Sequence, residues 1–220
     1  MRLATVWLLC AACPAAAFAG EVIDCVAVTV GRGVITRGAI EEQARIAAFL
    51  NREPPALSPA VLSRTTERLI DVALIRREMD ISRYAAAAQD EVEKMYARLR
   101  AGQTAIKPGD FDRELEAYQI GEPALRRYLA LQTQTLRFVE LRFRPGSSVT
   151  DGEVELFYRD HFVPEFLRAN PAGKTPPELD EVRDRIEASL LEQRVDQAME
   201  QWLKEARAQI RITYFKETCP

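Results

Sequence analysis

Histidine chemistry has one candidate in this sequence, His161, which sits between Asp160 and Phe162 near a helix end. No serine or cysteine motif accompanies it that would use it as a general base, so it reads as a partly exposed helix-end side chain. The acidic pairs Glu41-Glu42 and Asp90-Glu91 fall among arginines on helical stretches, which is the pattern of a solvated face rather than of paired acid and base. No Cys and His cluster has zinc-ligand spacing, and the chain shows neither a phosphate-binding glycine loop nor a dinucleotide fingerprint. The residues therefore point to no catalytic group, no metal and no cofactor. What the sequence holds in surplus is aromatic and methionine side chains near helix ends: Met95, Tyr96, Tyr118, Phe157, Tyr158, Phe162 and Phe166. Such side chains adapt to varied apolar partners, so these seven are the candidate peptide-binding surface. Pro164 lies between Phe162 and Phe166 and disrupts the helix that would bury them, which makes those two the most exposed of the set.

Four cysteines remain to be placed, and the N-terminus decides how. Arg2 is the only charged residue before Glu21; an apolar run from Leu3 to Cys13 and the small residues of Ala17-Phe18-Ala19 follow. This is a secretory signal peptide cleaved after Ala19. The apolar run falls short of the ~18–20 residues needed to cross a bilayer, and Cys10 occupies the place where a lipobox before Cys13 wants leucine. Cleavage removes Cys10 and Cys13, leaving Cys25 near the new start and Cys219 one residue from the end. An even pair in an exported chain reads as a disulfide rather than as two unrelated thiols, and it requires neighbouring termini.

The chain carries 30 basic and 33 acidic residues, so it has no basic footprint for nucleic acid. Its length suits one ordinary domain or two small ones, and no span follows the leader. Residues 22–30 are rich in β-branched side chains, and Gly31-Arg32-Gly33 reverses them into Val34-Ile35 as a hairpin. A comparable run at residues 210–215 would join it from the other end. Between these strands the pattern is helical. Thr36 caps a helix to about Leu50 with Ile40, Ala44, Ala47 and Ala48 inward. Ser58-Pro59 starts a second, to about Asp80, with Leu62, Leu69, Ile70, Ala73 and Leu74 as its stripe. A third runs from about Tyr84 to Arg100 and is stopped by Gly102. A short fourth ends at Gly121. The fifth, Glu122 to about Phe143, carries Leu125, Leu129, Leu136, Val139 and Phe143 on one side, widened by Tyr128, Leu131 and Phe138. Thr150 to Glu153 is a capping box for a sixth helix with Val154, Phe157 and Tyr158. The segment 168–177 is a linker by composition. A closing helix from Glu178 to about Arg207 presents Leu179, Val182, Ile186, Leu190, Met199, Leu203 and Ala206. The expected fold is mostly α, with a small β-sheet built from N- and C-terminal strands.

On residues Val26–Thr36 (VAVTVGRGVIT), Arg68–Glu78 (RLIDVALIRRE), Val149–His161 (VTDGEVELFYRDH) and the closing helix and strand, the chain resembles the SurA family of periplasmic chaperones, the parvulin-associated foldases. The likeness covers nearly all of the mature chain, but its motifs are apolar and capping patterns rather than chemical signatures. It implies a multi-helix peptide-binding core in which residues 20–167 form strands and a helical lobe. Residues 178–220 would then pack back on that lobe as a closing helix and strand. The family usually places one or more parvulin isomerase domains before the closing helix, each of about a hundred residues. Here the linker 168–177 stands in their place, and the histidine pair of a parvulin site is missing. The resemblance thus implies an isomerase-less periplasmic chaperone that works without ATP on unfolded or nascent envelope and outer-membrane proteins, and it is compatible with a homodimer. Clients would bind in a groove between the helical lobe and the closing helix, supplemented by main-chain pairing at the edge of the small sheet. Two alternatives stand beside it: a prolyl isomerase without recognisable motifs, and an assembly partner dedicated to one envelope protein.

Overall fold

A computed structural model of the chain describes residues 24–84, 89–103, 110–171 and 173–215. The segment expected to be a signal peptide, residues 1–19, and Cys219 lie outside the described residues. Strands β1 (Val26–Val30) and β2 (Gly33–Thr36) form the expected hairpin, and helices α1 (Arg37–Asn51) and α2 (Pro59–Ile81) follow. Helices α3 (Gln89–Gln103), α4 (Asp110–Ala117) and α5 (Glu122–Arg142) come next. After a short 3-10 turn, α6 (Asp151–Phe157) passes through a π-helical turn at Tyr158–Phe162 into α7 (Val163–Ala169). Helix α8 (Leu179–Gln209) and strand β3 (Ile212–Tyr214) close the chain, which is mostly α.

Local chemistry explains most of these boundaries. Thr36 Oγ1 accepts from the Ala39 N–H at 3.2 Å, and Ser58 Oγ accepts from Val61 N–H with Pro59 opening α2. These bonds satisfy donors that a helix start leaves orphaned. At α6, the Glu153 carboxylate reaches back to accept the Thr150 N–H at 2.9 Å. The reversal between β1 and β2 is a two-residue loop in which Gly31 has φ of +58°, the positive value such a loop demands at its first position. All pairings are antiparallel in the order β2-β1-β3, with Val28 opposite both Ile35 and Tyr214. The two ends of the chain therefore do share one sheet, and the Phe215 N–H donates to the Ala27 carbonyl at 2.9 Å. Cys25 is disulfide-bonded to a partner outside the described residues.

Apolar burial divides into three clusters. The first gathers Val28, Val30 and Ile35 from the sheet, Ile70, Leu74 and Met79 from α2, Phe138 and Phe143 from α5 and its end, and Val195 and Leu203 from α8. The second is built by α1, α3, α4 and the first half of α5 around Phe49, Tyr96, Phe111 and Leu125. The third joins Val154 of α6 to Val182 and Ile186 at the start of α8.

Several sequence expectations change. On α1, Ile46 and Phe49 are buried while Ala47 and Ala48 are only half-buried, because this helix serves two clusters and not one stripe. Helix α3 is described from Gln89 and runs through Gly102, and the expected start just after Tyr84 lies outside the described residues. Arg83 adopts a left-handed φ of 52° and turns the chain at the end of α2, so Tyr84 donates its N–H to Met79 O at 3.0 Å and belongs to that helix end. Leu136 does not join the buried side of α5 and is 59% exposed, whereas Val195 is a core residue that the stripe on α8 omitted. Pro164 does not break the helix. The Val163 N–H bonds to Tyr158 O, five residues back, and this wider turn passes the chain into α7 with the ring of Pro164 in its first turn.

Candidate functional site

The seven predicted peptide-binding side chains do not form one surface. Tyr96 is buried, edge-on to Phe111 at 5.8 Å, and the Arg126 guanidinium covers its face at 3.9 Å. Burial pushes its phenol above the ordinary value, assisted by the charge of Glu122. Tyr118 is half-buried against Phe49 and donates its hydroxyl to the Glu53 carbonyl at 2.9 Å, which ties the α4 end to the loop after α1. Both are structural groups of the second cluster and are removed from the candidate surface.

Phe157, Tyr158, Phe162 and Phe166 lie together in the region of the third cluster, on the α6–α7 helix. Tyr158 stacks on Phe162 at 5.7 Å, Phe162 on Phe166 at 6.2 Å, and Phe157 on His161 at 5.2 Å. Each pair is four residues apart, so these rings share one side of the helix. Tyr158 donates to Pro177 O at 2.8 Å, and Arg185 covers Phe162 at 5.3 Å. Phe162 and Phe166 are therefore half-buried, contrary to the expectation of greatest exposure. Pro164 redirected the helix without releasing its side chains.

Met95 alone leads to an open apolar site. It lines a groove of about 490 Å³ between α3 and α5, together with Tyr84, Thr133, Leu136, Phe138 and Leu141. Thr133 Oγ1 contacts the Met95 sulfur at 3.8 Å, and the buried ring of Phe138 stands edge-on to Tyr84 at 5.3 Å as part of the floor. Leu136 and Leu141 are 59% and 63% exposed. The charges at the rim are neutralised locally: Arg137 pairs with Glu91, and Glu140 pairs with Arg144. The hydrogen bond from Arg144 holds the Glu140 carboxyl below its usual range, so the rim keeps its ion pairs at neutral pH. An apolar floor with self-compensated rim charges favours an apolar occupant and does not select for charge. The sequence reading placed Leu136 on the apolar side of α5 and did not single out Leu141, and helical periodicity alone does not say which part of a broad apolar face is covered.

The crevice between α2 and α8, where a groove against the closing helix was expected, holds about 220 Å³ and is lined partly by Arg77, Glu78 and Glu205. It is smaller and more polar than the α3–α5 groove. No helix among the described residues is long and apolar enough to cross a membrane. Comparison with protein-family models and with curated proteins finds no match.

Proposed function

We propose that this chain is a periplasmic, ATP-independent chaperone without isomerase activity, which holds extended apolar segments of unfolded envelope or outer-membrane proteins. The observation that carries this reading is the α3–α5 groove, where Leu136, Leu141 and Met95 offer apolar surface over a rigid floor anchored by Phe138. Exposed leucines that stand singly need no explanation, but a lined apolar groove with paired rim charges does. Methionine at its edge suits clients of differing shape. The export signal and the SurA-like pattern supply the compartment and the client class.

The purified mature protein is expected to suppress aggregation of an unfolded outer-membrane protein at a few-fold molar excess and to bind aromatic-rich peptides. The double variant L136D/L141D, changed only at exposed positions, is expected to keep its helical circular dichroism and to lose peptide affinity by about tenfold or more. Wild-type protein that neither suppresses aggregation nor binds such peptides overturns the proposal. So does a folded L136D/L141D variant that binds them as well as wild type.

A further inference from the structure

Another groove lies at the tip of the β1–β2 hairpin against the second half of α2 and encloses about 580 Å³. Its lining includes Arg32, Arg76 and Arg77, with Asp80 as the one carboxylate, and Val34 and Ile81, which are 56% and 65% exposed. None of the three arginines makes an ion pair among the described residues, whereas Arg126, Arg137 and Arg207 each do. Proximity to the C-terminal end of α2 favours a cation there, but that effect is confined to the last turn and does not reach Arg32 on the hairpin.

The groove also runs beside a free sheet edge. In the order β2-β1-β3, β2 has no neighbour on its outer side among the described residues. Val30 and Gly33 close the two-residue hairpin and so exchange its hydrogen bonds. Val34, one step along and opposite Thr29, must then direct its N–H and C=O away from β1. An open main-chain edge, an exposed β-branched side chain and unpaired guanidinium groups thus converge on one groove.

We propose that this groove binds an extended, acidic segment of a partner protein, which pairs with β2 through the Val34 main chain and places Glu or Asp side chains against Arg32, Arg76 and Arg77. Main-chain pairing supplies sequence-tolerant affinity, and the alternation of a strand puts every second side chain on the arginine side. The site is separate from the α3–α5 groove and stands without it. It gives the molecule a charge-selective contact beside a charge-indifferent one.

The test uses the mature protein and two fluorescent, C-terminally amidated decapeptides, one alternating valine with glutamate and the other valine with glutamine, with binding read by anisotropy. The glutamate peptide is expected to bind at least about tenfold tighter, with an affinity that falls as salt rises. R76Q/R77Q is expected to lose that difference. V34P is tolerated at an edge position and removes the outward N–H, so it is expected to weaken binding with unchanged circular dichroism. L136D/L141D is expected to bind the glutamate peptide as wild type does, so that failure of this site and failure of the apolar groove remain distinguishable. Equal affinity for the two peptides overturns the proposal, as does a R76Q/R77Q variant that still discriminates between them. Full displacement by millimolar inorganic phosphate together with unchanged binding by folded V34P also overturns it, since that describes a simple anion site.

Discussion

Arg207 near the end of α8 reaches into α2 with all of its donor groups. Its Nη1 donates to Glu67 Oε2 at 2.7 Å, its Nη2 to the Glu67 carbonyl at 3.1 Å, and its Nε to Asp71 Oδ1 at 2.8 Å. The Tyr214 hydroxyl adds a bond of 2.9 Å to the other Glu67 oxygen, so one carboxylate joins α2, α8 and β3. Burial alone would raise the Glu67 carboxyl. The bonds from Arg207 and Tyr214 and the Arg207 charge together outweigh it and hold the group below its usual range. A depressed folded pKa gives stability that is present above the unfolded value of about 4.3 and is lost as pH falls through the folded one. Melting temperature is therefore expected to drop on acidification below about pH 4.3, and the acid limb should be shallower in E67Q. With nearly half of Glu67 in water, its contribution at neutral pH is about 1 kcal/mol. R207M strands two carboxylates at once and is expected to cost about 1–3 kcal/mol in chemical denaturation. An R207M protein as stable as wild type would show that the network contributes nothing. None of this was legible in the sequence. Glu67, Asp71 and Arg207 are ordinary helix-surface residues there, and only docking α8 on α2 brings them within bonding distance.

Elements with a local cause were legible, and those with a tertiary cause were not. The caps at Thr36 and Ser58 and the hairpin at Gly31 follow from side chains and backbone freedom within four residues, and each appears where its chemistry puts it. Gly31 gives this a direct check. A Cβ there would meet Arg77 Nη1 at 3.2 Å in a backbone with φ of +58°. G31A is expected to destabilise by about 1–2 kcal/mol, from left-handed strain, as read from urea midpoints. An unchanged midpoint would mean that the hairpin relaxes freely. The course of the α6–α7 helix was misread for the opposite reason. The chain passes Pro164 through a π-helical turn, and Phe162 stays stacked between Tyr158 and Phe166.

At the scale of the molecule, α1, α5 and α8 each contribute to two apolar clusters, which makes these helices the ties between the sheet end and the helical periphery. The sheet joins the two ends of the chain, with β1 central and β3 bonded along it. Peptide mapping of the mature protein is expected to find Cys25 crosslinked to Cys219. Its reduction should lower stability by up to about 5 kcal/mol, the loop-entropy figure for closing almost the whole chain. Two free thiols in oxidatively refolded protein would contradict this pairing. The sequence by itself determined the helical class, the hairpin, the caps and the meeting of the termini, because periodicity, turn chemistry and strand composition act over a few residues. Only the tertiary structure decided which apolar residues stay in water. Tyr96 and Leu136 carry the same kind of sequence signal, yet one is enclosed by Phe111 and Arg126 and the other lines an open groove. Burial is a property of what packs opposite, and no single helix encodes its neighbour.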